Sequence, residues 1–504
     1  MPQYPDGTRI HKAEWDRLLE AIPSSYSMWK DGTTYRAECN FAGGTDYSSL
    51  DATTVLQNAG ALGGKILLKA GTYVFNTPPV IPEDVSVVIE GEGIDATILK
   101  AGTDGMDPLI LAKSKYCVFR NLTVDGDGKA VNVFAAVVQT AGKTMDFCLL
   151  DNCKIRNSKV GVNGWVLIAW DQTDTFSIKN FTLQNSIVEG PSSAAQDSAA
   201  FTNVDTLFLA NSVFRNMTHP VNVYITHRSF LDNLVFDTFG AYASLVFDDN
   251  NYVSVRDCDF TNAAQPIYVD KTKKVVFDGA LFSGSALPIL YIQAGVGAHI
   301  KFLNCFVPQI VIKDTTAEIA SLDVNNCTMV APADAGGIVN FVGAGGSTIS
   351  NVKIQNCDID ETLNTRHICG VNAWTITNWQ EQGNSFVNRR GVWNTTIGAG
   401  VRIIGNIGYN PKGNIVTPWT NGAGLLGDSA EALNNPVSDA LYTVSESPKL
   451  VILTNCGGIS EVQIDGTTLT NMTTQDPQIY QLNPGQTIHV VWTVTTPHGE
   501  VYAQ

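Results

Sequence analysis

The sequence predicts an all-β chain: a parallel β-helix of about 12 or more coils, preceded by a capping helix and followed by a small antiparallel β-sandwich. Three observations carry this. Charged residues are only 16% of the 504 while glycines number 44, so Asn, Thr, Ser and Gly must cover much of the surface, which is a turn-rich signature. Short runs of Val, Ile, Leu and Phe alternate with polar residues at the period of a strand, with almost no helical period. These runs also return around one small polar residue. "FRNLTV" at Asn121 is followed by "LDNCKI" at Asn152, "LQNSIV" at Asn185, "LANSVF" at Asn211 and "LDNLVF" at Asn233. The series continues through Asp257, Gly279, Asn304, Asn326, Asn356, Asn384 and Asn406. Its steps run from 22 to 33 residues and 22 recurs, as variable loops inserted into a constant coil would give.

The asparagines have a physical reason. A coil that turns between two sheets needs a residue tolerant of left-handed backbone angles, and a stacked Asn can bond its amide to the equivalent residue on the next coil. The following position, occupied by Cys153, Ser186, Ser212, Cys258, Ala280, Cys305, Cys327, Cys357 and Ser385, is small and points inward. Exchange among Cys, Ser and Ala argues for a steric slot and against a metal site. The ten cysteines lack CxxC pairing and read as buried free thiols.

Taken in order, residues 1–34 form a lead-in with a short amphipathic helix on Trp15, Leu18, Leu19 and Ile22. That stripe suits either a cap contact or a docking helix. In "DATTVLQNAGALGGKILLKAGTYVF" a helix starts at its N-cap Asp51, stops at Gly63 and Gly64, and leads into a strand with a turn at Ala70 and Gly71. A helix here would shield the open end of the stack, residues 35–410. Residues 411–439 read as a linker, and 440–504 alternate in short runs between Pro, Gly and Asn turns, the pattern of a small sandwich.

The formal charge of −16 argues against nucleic acid and against an anionic membrane surface as partners. No apolar run approaches the ~20 residues of a membrane-spanning helix, so no membrane insertion is expected. No signal peptide is visible in "MPQYPDGTRIHKAEWDRLL".

The helix followed by "GGKILLKAGTYVF" and then by irregular coils with an Asn ladder resembles the pectin-lyase-like family of right-handed parallel β-helices, of the tailspike and polysaccharide-degrading type. The combination "NPKGNIVTPW", "GGISEVQIDGTTL" and "LNPGQTIHVVWT" is similar to a C-terminal module of virion tail proteins, which implies a cap that helps form a homotrimer or contacts sugars. Trp419 and Trp492 are its candidate aromatic contacts, with core packing as the alternative. The resemblance implies an extracellular or virion-associated protein whose partner is a polysaccharide. It carries over no catalytic residue. Asp248 and Asp249 form a DD pair, but no GHG follows it, and neither a WxDH nor a DPHE-like motif is present.

Counting nine residues back from the ladder position places Tyr224, Asp248 and Asp270 in one column on successive coils. One rung apart, Asp248 and Asp270 would lie about 5 Å from each other by backbone, a spacing suited to the paired carboxylates of a glycosidase. Asp249, His227, Arg228 and Lys271 flank them as further catalytic candidates. Tyr224, Tyr268, Trp170, Asp171 and Trp165 are the candidates for substrate binding, aromatic faces being suited to sugar C–H surfaces. Trp374, Trp379 and Trp393 also fall in long coils. No cofactor is required by the hydrolase reading. Three alternatives stay open: a Ca²⁺-dependent lyase with Arg228 or Lys271 as proton acceptor, a non-catalytic adhesin or structural spike, and a merely solvated acidic face.

Overall fold

The computed structural model describes residues 24–404, apart from 161–163, 192–196, 218, 238–242, 261–264, 283–289, 294–296, 315–317, 331–338, 344–347, 361–367, 372–374, 388–392 and 395, together with the strands between 441 and 503. Strand accounts for 62% and helix for 3%, so the all-β class holds, and the strands form a parallel β-solenoid. The chain divides into two compact units, Met1–Tyr268 and Val269–Gln504.

The first unit begins with an antiparallel hairpin, Ser24–Asp31 with Thr34–Cys39, turning at Gly32 where φ is 58°. This hairpin crosses residue 34, where the sequence pattern set a boundary, and its first strand pairs in parallel with Gly64–Leu68. The single described helix, Ala52–Gly60, starts where expected: the Asp51 carboxylate accepts from the Thr53 backbone N–H at 3.2 Å. Its apolar face, Val55, Leu56 and Ala59, is fully buried.

Each coil then runs through three faces. The first carries residues 116–120, 147–151, Ile178–Gln184, 204–210, 228–232 and Tyr252–Arg256, each parallel to the next. The second carries 122–125, 153–156, Ile187–Glu189, 212–215 and 234–237. The third carries Phe134–Val138, Leu167–Asp171, Asp197–Thr202, His219–Tyr224 and Ala243–Asp248. Alternate side chains point inward, and on the second face Phe214, Phe236 and Phe260 stack at 5.6 and 4.8 Å between centroids. Burying each ring is worth about 1.5–3 kcal/mol.

The first corner, between the first and second faces, is the Asn ladder. Asn121, Asn152, Asn185, Asn211 and Asn233 have φ between 47° and 56°. Asn152 Nδ2 donates to Asn121 Oδ1 at 2.8 Å and Asn233 Nδ2 to Asn211 Oδ1 at 2.9 Å. The inward slot does more than fit a small group. Ser212 Oγ donates to the Ala210 carbonyl two residues back, at 2.7 Å, and accepts the Ser186 backbone N–H at 3.2 Å. Cys305 Sγ and Cys327 Sγ likewise reach the carbonyls of Leu303 and Asn325. Ser and Cys exchange there because both are small donors that also accept. Burial pushes the Cys153 and Cys258 thiols up to about 12, which makes them poor nucleophiles.

The second unit has an Asn ladder of its own at Asn304, Asn326 and Asn356, with Asn326 Nδ2 donating to Asn304 Oδ1 at 2.6 Å. Strands Lys274–Asp278, Ala298–Leu303, Glu318–Asn325, Thr348–Gln355 and Thr375–Gln382 are paired in parallel. One position differs from the expected series. Asp358 pairs with Ser385, so Gly383, at φ 64°, takes the corner and Asn384 falls into the slot, fully buried. Its Oδ1 accepts the Cys357 N–H at 3.0 Å, and Ser385 is exposed on the next face. At the C-terminus two antiparallel sheets form, one of four strands and one of three. The side chains through which they would pack as a sandwich lie outside the described residues, as do those of Trp374, Trp379, Trp393, Trp419 and Trp492, the lead-in helix, the linker and Asn406.

Candidate functional site

The second corner, between the third face of one coil and the first face of the next, collects most of the candidate residues of the first unit. Its left-handed positions are Asn203, Ile225 and Asp249, with φ of 57°, 51° and 54°. Beneath it lies another polar slot. The Thr226 backbone N–H and Oγ1 both donate to Asn250 Oδ1, at 2.9 and 2.7 Å, Asn250 Nδ2 donates to the Val223 carbonyl at 3.1 Å, and Ser229 Oγ lies 2.6 Å from Thr226 Oγ1. Thr226, Ser229 and Asn250 are at most 1% exposed, so this network fixes the corner from inside.

On the third face, just before the corner, the register is Trp170, Thr202, Tyr224, Asp248 on four consecutive strands. Their chain neighbours Ala169, Phe201, Val223 and Phe247 are buried in the core, so by alternation these four face out. Trp170 is 40% exposed and the other three are half-buried. Of the expected column Tyr224, Asp248 and Asp270, the first two stand in register, and that register extends by two residues toward Trp170.

Beyond the corner, Arg228 opens the strand Arg228–Asp237 and is exposed, standing in register between Thr206 and Tyr252, and Asp249 is exposed at the turn itself. His227 is held on two sides. Its Nδ1 lies 2.7 Å from Asp205 Oδ1, and its ring stacks on Phe176 at 3.9 Å between centroids with 22° between planes.

Asp171 is placed differently from its neighbours in sequence. It is 0% exposed, and its carboxylate accepts from the Thr173 N–H at 2.8 Å, Thr173 Oγ1 at 2.6 Å, the Thr175 N–H at 3.3 Å and the Ser177 N–H at 2.5 Å. Burial pushes this carboxyl up, but the bonds from Thr173, Ser177 and Thr175 outweigh it and hold it below the usual carboxylate range. Asp171 thus shapes the turn that carries Phe176 and presents no oxygen to solvent. Trp165 stands two residues before the strand Leu167–Asp171, where its backbone N–H donates to Asn132 Oδ1 at 2.7 Å; it does not join the column. Tyr268, half-buried, is the last residue of the first unit. Asp270 and Lys271 belong to the second, where Lys271 Nζ lies 3.7 Å from Asp270 Oδ2.

Asp205 and Phe176 were not singled out by the sequence pattern. Asp205 lies one minimal repeat of 22 residues before His227, so the coil period contains it. Phe176 sits on an inserted turn, where the period gives no guidance. Among the described residues no group of three or more His, Cys, Asp or Glu side chains is placed to hold a metal ion, and no described helix is long and apolar enough to cross a membrane.

Among solved structures, the chain is similar to the A-module of the mannuronan C-5 epimerase AlgE4 of Azotobacter vinelandii, at 15% identity and a TM-score of 0.42, over 64% of this chain and 93% of that one. It is also similar to tailspike protein gp49 of Acinetobacter baumannii bacteriophage Fri1, a capsular polysaccharide depolymerase (11% identity, TM-score 0.27, 90% and 84% covered). A third is the full-length tailspike protein 2 of the Escherichia coli O157:H7 bacteriophage CAB120 (9%, 0.36, 92% and 64%). At these identities the likeness is one of fold. No protein-family model and no curated protein matches the sequence.

Proposed function

We propose that the first unit binds an extended polysaccharide along its second corner and that Asp248 acts in cleaving it. The observation that carries this is the outward column Trp170, Thr202, Tyr224, Asp248, one residue per coil. Successive coils are about 4.8 Å apart, a spacing comparable to the advance of one pyranose ring along an extended chain. An aromatic face at one end, a hydroxyl and a phenol between, and a carboxyl at the other end supply stacking, hydrogen bonding and acid chemistry in that order. In hydrolysis, water attacks the anomeric carbon, the bond to the leaving oxygen breaks, and Asp248 as the carboxylic acid gives that oxygen its proton.

The test uses alginate, polygalacturonate, xylan and dextran as probes, scoring binding, reducing ends and the absorbance of unsaturated products. Trp170→Ala should weaken binding, and Asp248→Asn should bind as before while product falls about 10²- to 10⁴-fold. Unchanged product from Asp248→Asn removes Asp248 from the chemistry. Asp270→Asn, made separately, tests the carboxyl of the second unit by itself. Unsaturated products that require Ca²⁺ would turn the reading to a lyase, and binding with no product under any condition would leave an adhesin. The same reading makes the protein extracellular or virion-borne and trimeric; light scattering that gives a monomer would end the trimeric part and leave binding standing.

A further inference from the structure

We propose that His227 is the proton acceptor of this corner and that Asp205 and Phe176 are its positioning residues. This rests on reading the corner as a polysaccharide site. A carboxylate can only accept, so the 2.7 Å contact with Asp205 places the hydrogen of a neutral imidazole on Nδ1 and leaves the Nε2 lone pair free for a ligand. The stacked Phe176 ring fixes the imidazole plane. The His227 side chain keeps 44% of its surface exposed, so a bound chain can reach the ring.

What surrounds the histidine argues that this geometry is selected and not incidental. Phe176 has φ 53°, a left-handed conformation that aromatic residues rarely adopt. Backbone strain of that kind persists only where the surroundings enforce it, and it concentrates at functional sites. Here the enforcement is visible: the buried Asp171 carboxylate bonds three backbone N–H groups of the turn, and Lys179 Nζ donates to the Phe176 carbonyl at 2.8 Å. An exposed His–Asp contact alone would justify little of this.

In the hydrolytic step His227 Nε2 takes the proton of the attacking water as its oxygen bonds to the anomeric carbon, while Asp248 protonates the leaving oxygen. The imidazolium then releases its proton to solvent and Asp248 regains one, so the net change is one water added across the glycosidic bond.

The test has two readouts on the full chain. Ring ¹⁵N shifts of His227 near pH 8, above the ordinary imidazole range of about 6.5, should show the Nδ1–H tautomer, and Asp205→Ala should shift the ring toward Nε2–H. With the same four polysaccharide probes, His227→Ala should lower product at least about 100-fold with binding retained. Phe176→Leu, which keeps an apolar group on the turn, should lower turnover at least tenfold with the tautomer unchanged. A dominant Nε2–H tautomer in the native protein, or unchanged product from His227→Ala, overturns the proposal while leaving the binding site intact. Loss of all polysaccharide binding by the native protein removes both.

Discussion

The two corners of the first unit solve one geometric problem with different residues. At the first, every left-handed position from Asn121 to Asn233 is Asn, and the backbone cost is offset by amide bonds from coil to coil. At the second, Asn203 and Asp249 share the corner with Ile225, a β-branched residue at φ 51° that is 40% exposed, and Phe176 adopts the same backbone region on a nearby turn. Among the described residues, the non-glycine left-handed positions are otherwise Asn or Asp, with Lys271 in the second unit the remaining exception. A ladder that repays its strain locally is structural. A corner that keeps Ile225, with Phe176 on the turn beside it, where Asn would cost less is the physical reason for placing the proposed site at the second corner.

The largest expected effect strikes the second corner. Asp171→Ala removes a buried acceptor from three backbone N–H groups and one hydroxyl, and should cost about 3 kcal/mol in urea unfolding. Because the folded Asp171 carboxyl is held below its ordinary value of about 3.9, its contribution is fully present above that value and is lost as pH falls through the folded one. The unfolding midpoint of the native protein should therefore drop below about pH 4 more steeply than that of Asp171→Ala. Equal slopes would show that Asp171 does not carry the turn.

At the first corner, Asn211→Ala breaks two ladder bonds and forces Ala into the left-handed region, for about 2 kcal/mol, whereas Asn211→Gly should lose only about 1. Neither change should affect polysaccharide binding. If Asn211→Ala weakened binding as much as Trp170→Ala does, the contrast between the corners would fail.

Ile225→Asn should act in the opposite sense. It places a residue suited to φ 51° at the strained position and should raise stability by about 1 kcal/mol, while weakening binding. A gain in stability with binding unchanged would mean that Ile225 presents nothing the ligand uses.

How much of this was legible in the sequence follows from the same contrast. The first corner could be read because Asn recurs at the coil period, and the column of Tyr224 and Asp248 could be counted from it. At Gly383 and Asn384 the sequence leaves the corner ambiguous, because both residue types tolerate left-handed angles and only the pairing of Asp358 with Ser385 chooses between them. Asp171 looked like a ligand-facing acid because an aspartate that caps its own turn and one that faces solvent share a letter; burial separates them. Phe176 reaches His227 from an inserted turn, and a contact made across coils by an insertion leaves no periodic trace.

The smallest effect sharpens the slot behind the ladder. Cys327 is 3% exposed, its Sγ reaches the Asn325 carbonyl at 3.3 Å, and it accepts the Cys305 N–H at 3.4 Å. If the slot were only steric, Cys327→Ser would bury an unmatched hydroxyl at a cost of about 1–2 kcal/mol. Ser186 and Ser212 occupy the equivalent position with both bonds made, each donating to the carbonyl two residues back. A serine at 327 should adopt the same pair, with shorter bonds than sulfur allows, so the change should stay within about 0.5 kcal/mol. A loss near 2 kcal/mol would show that the two units hold this slot differently, and that the thiols of Cys305, Cys327 and Cys357 are kept for packing that a hydroxyl cannot replace.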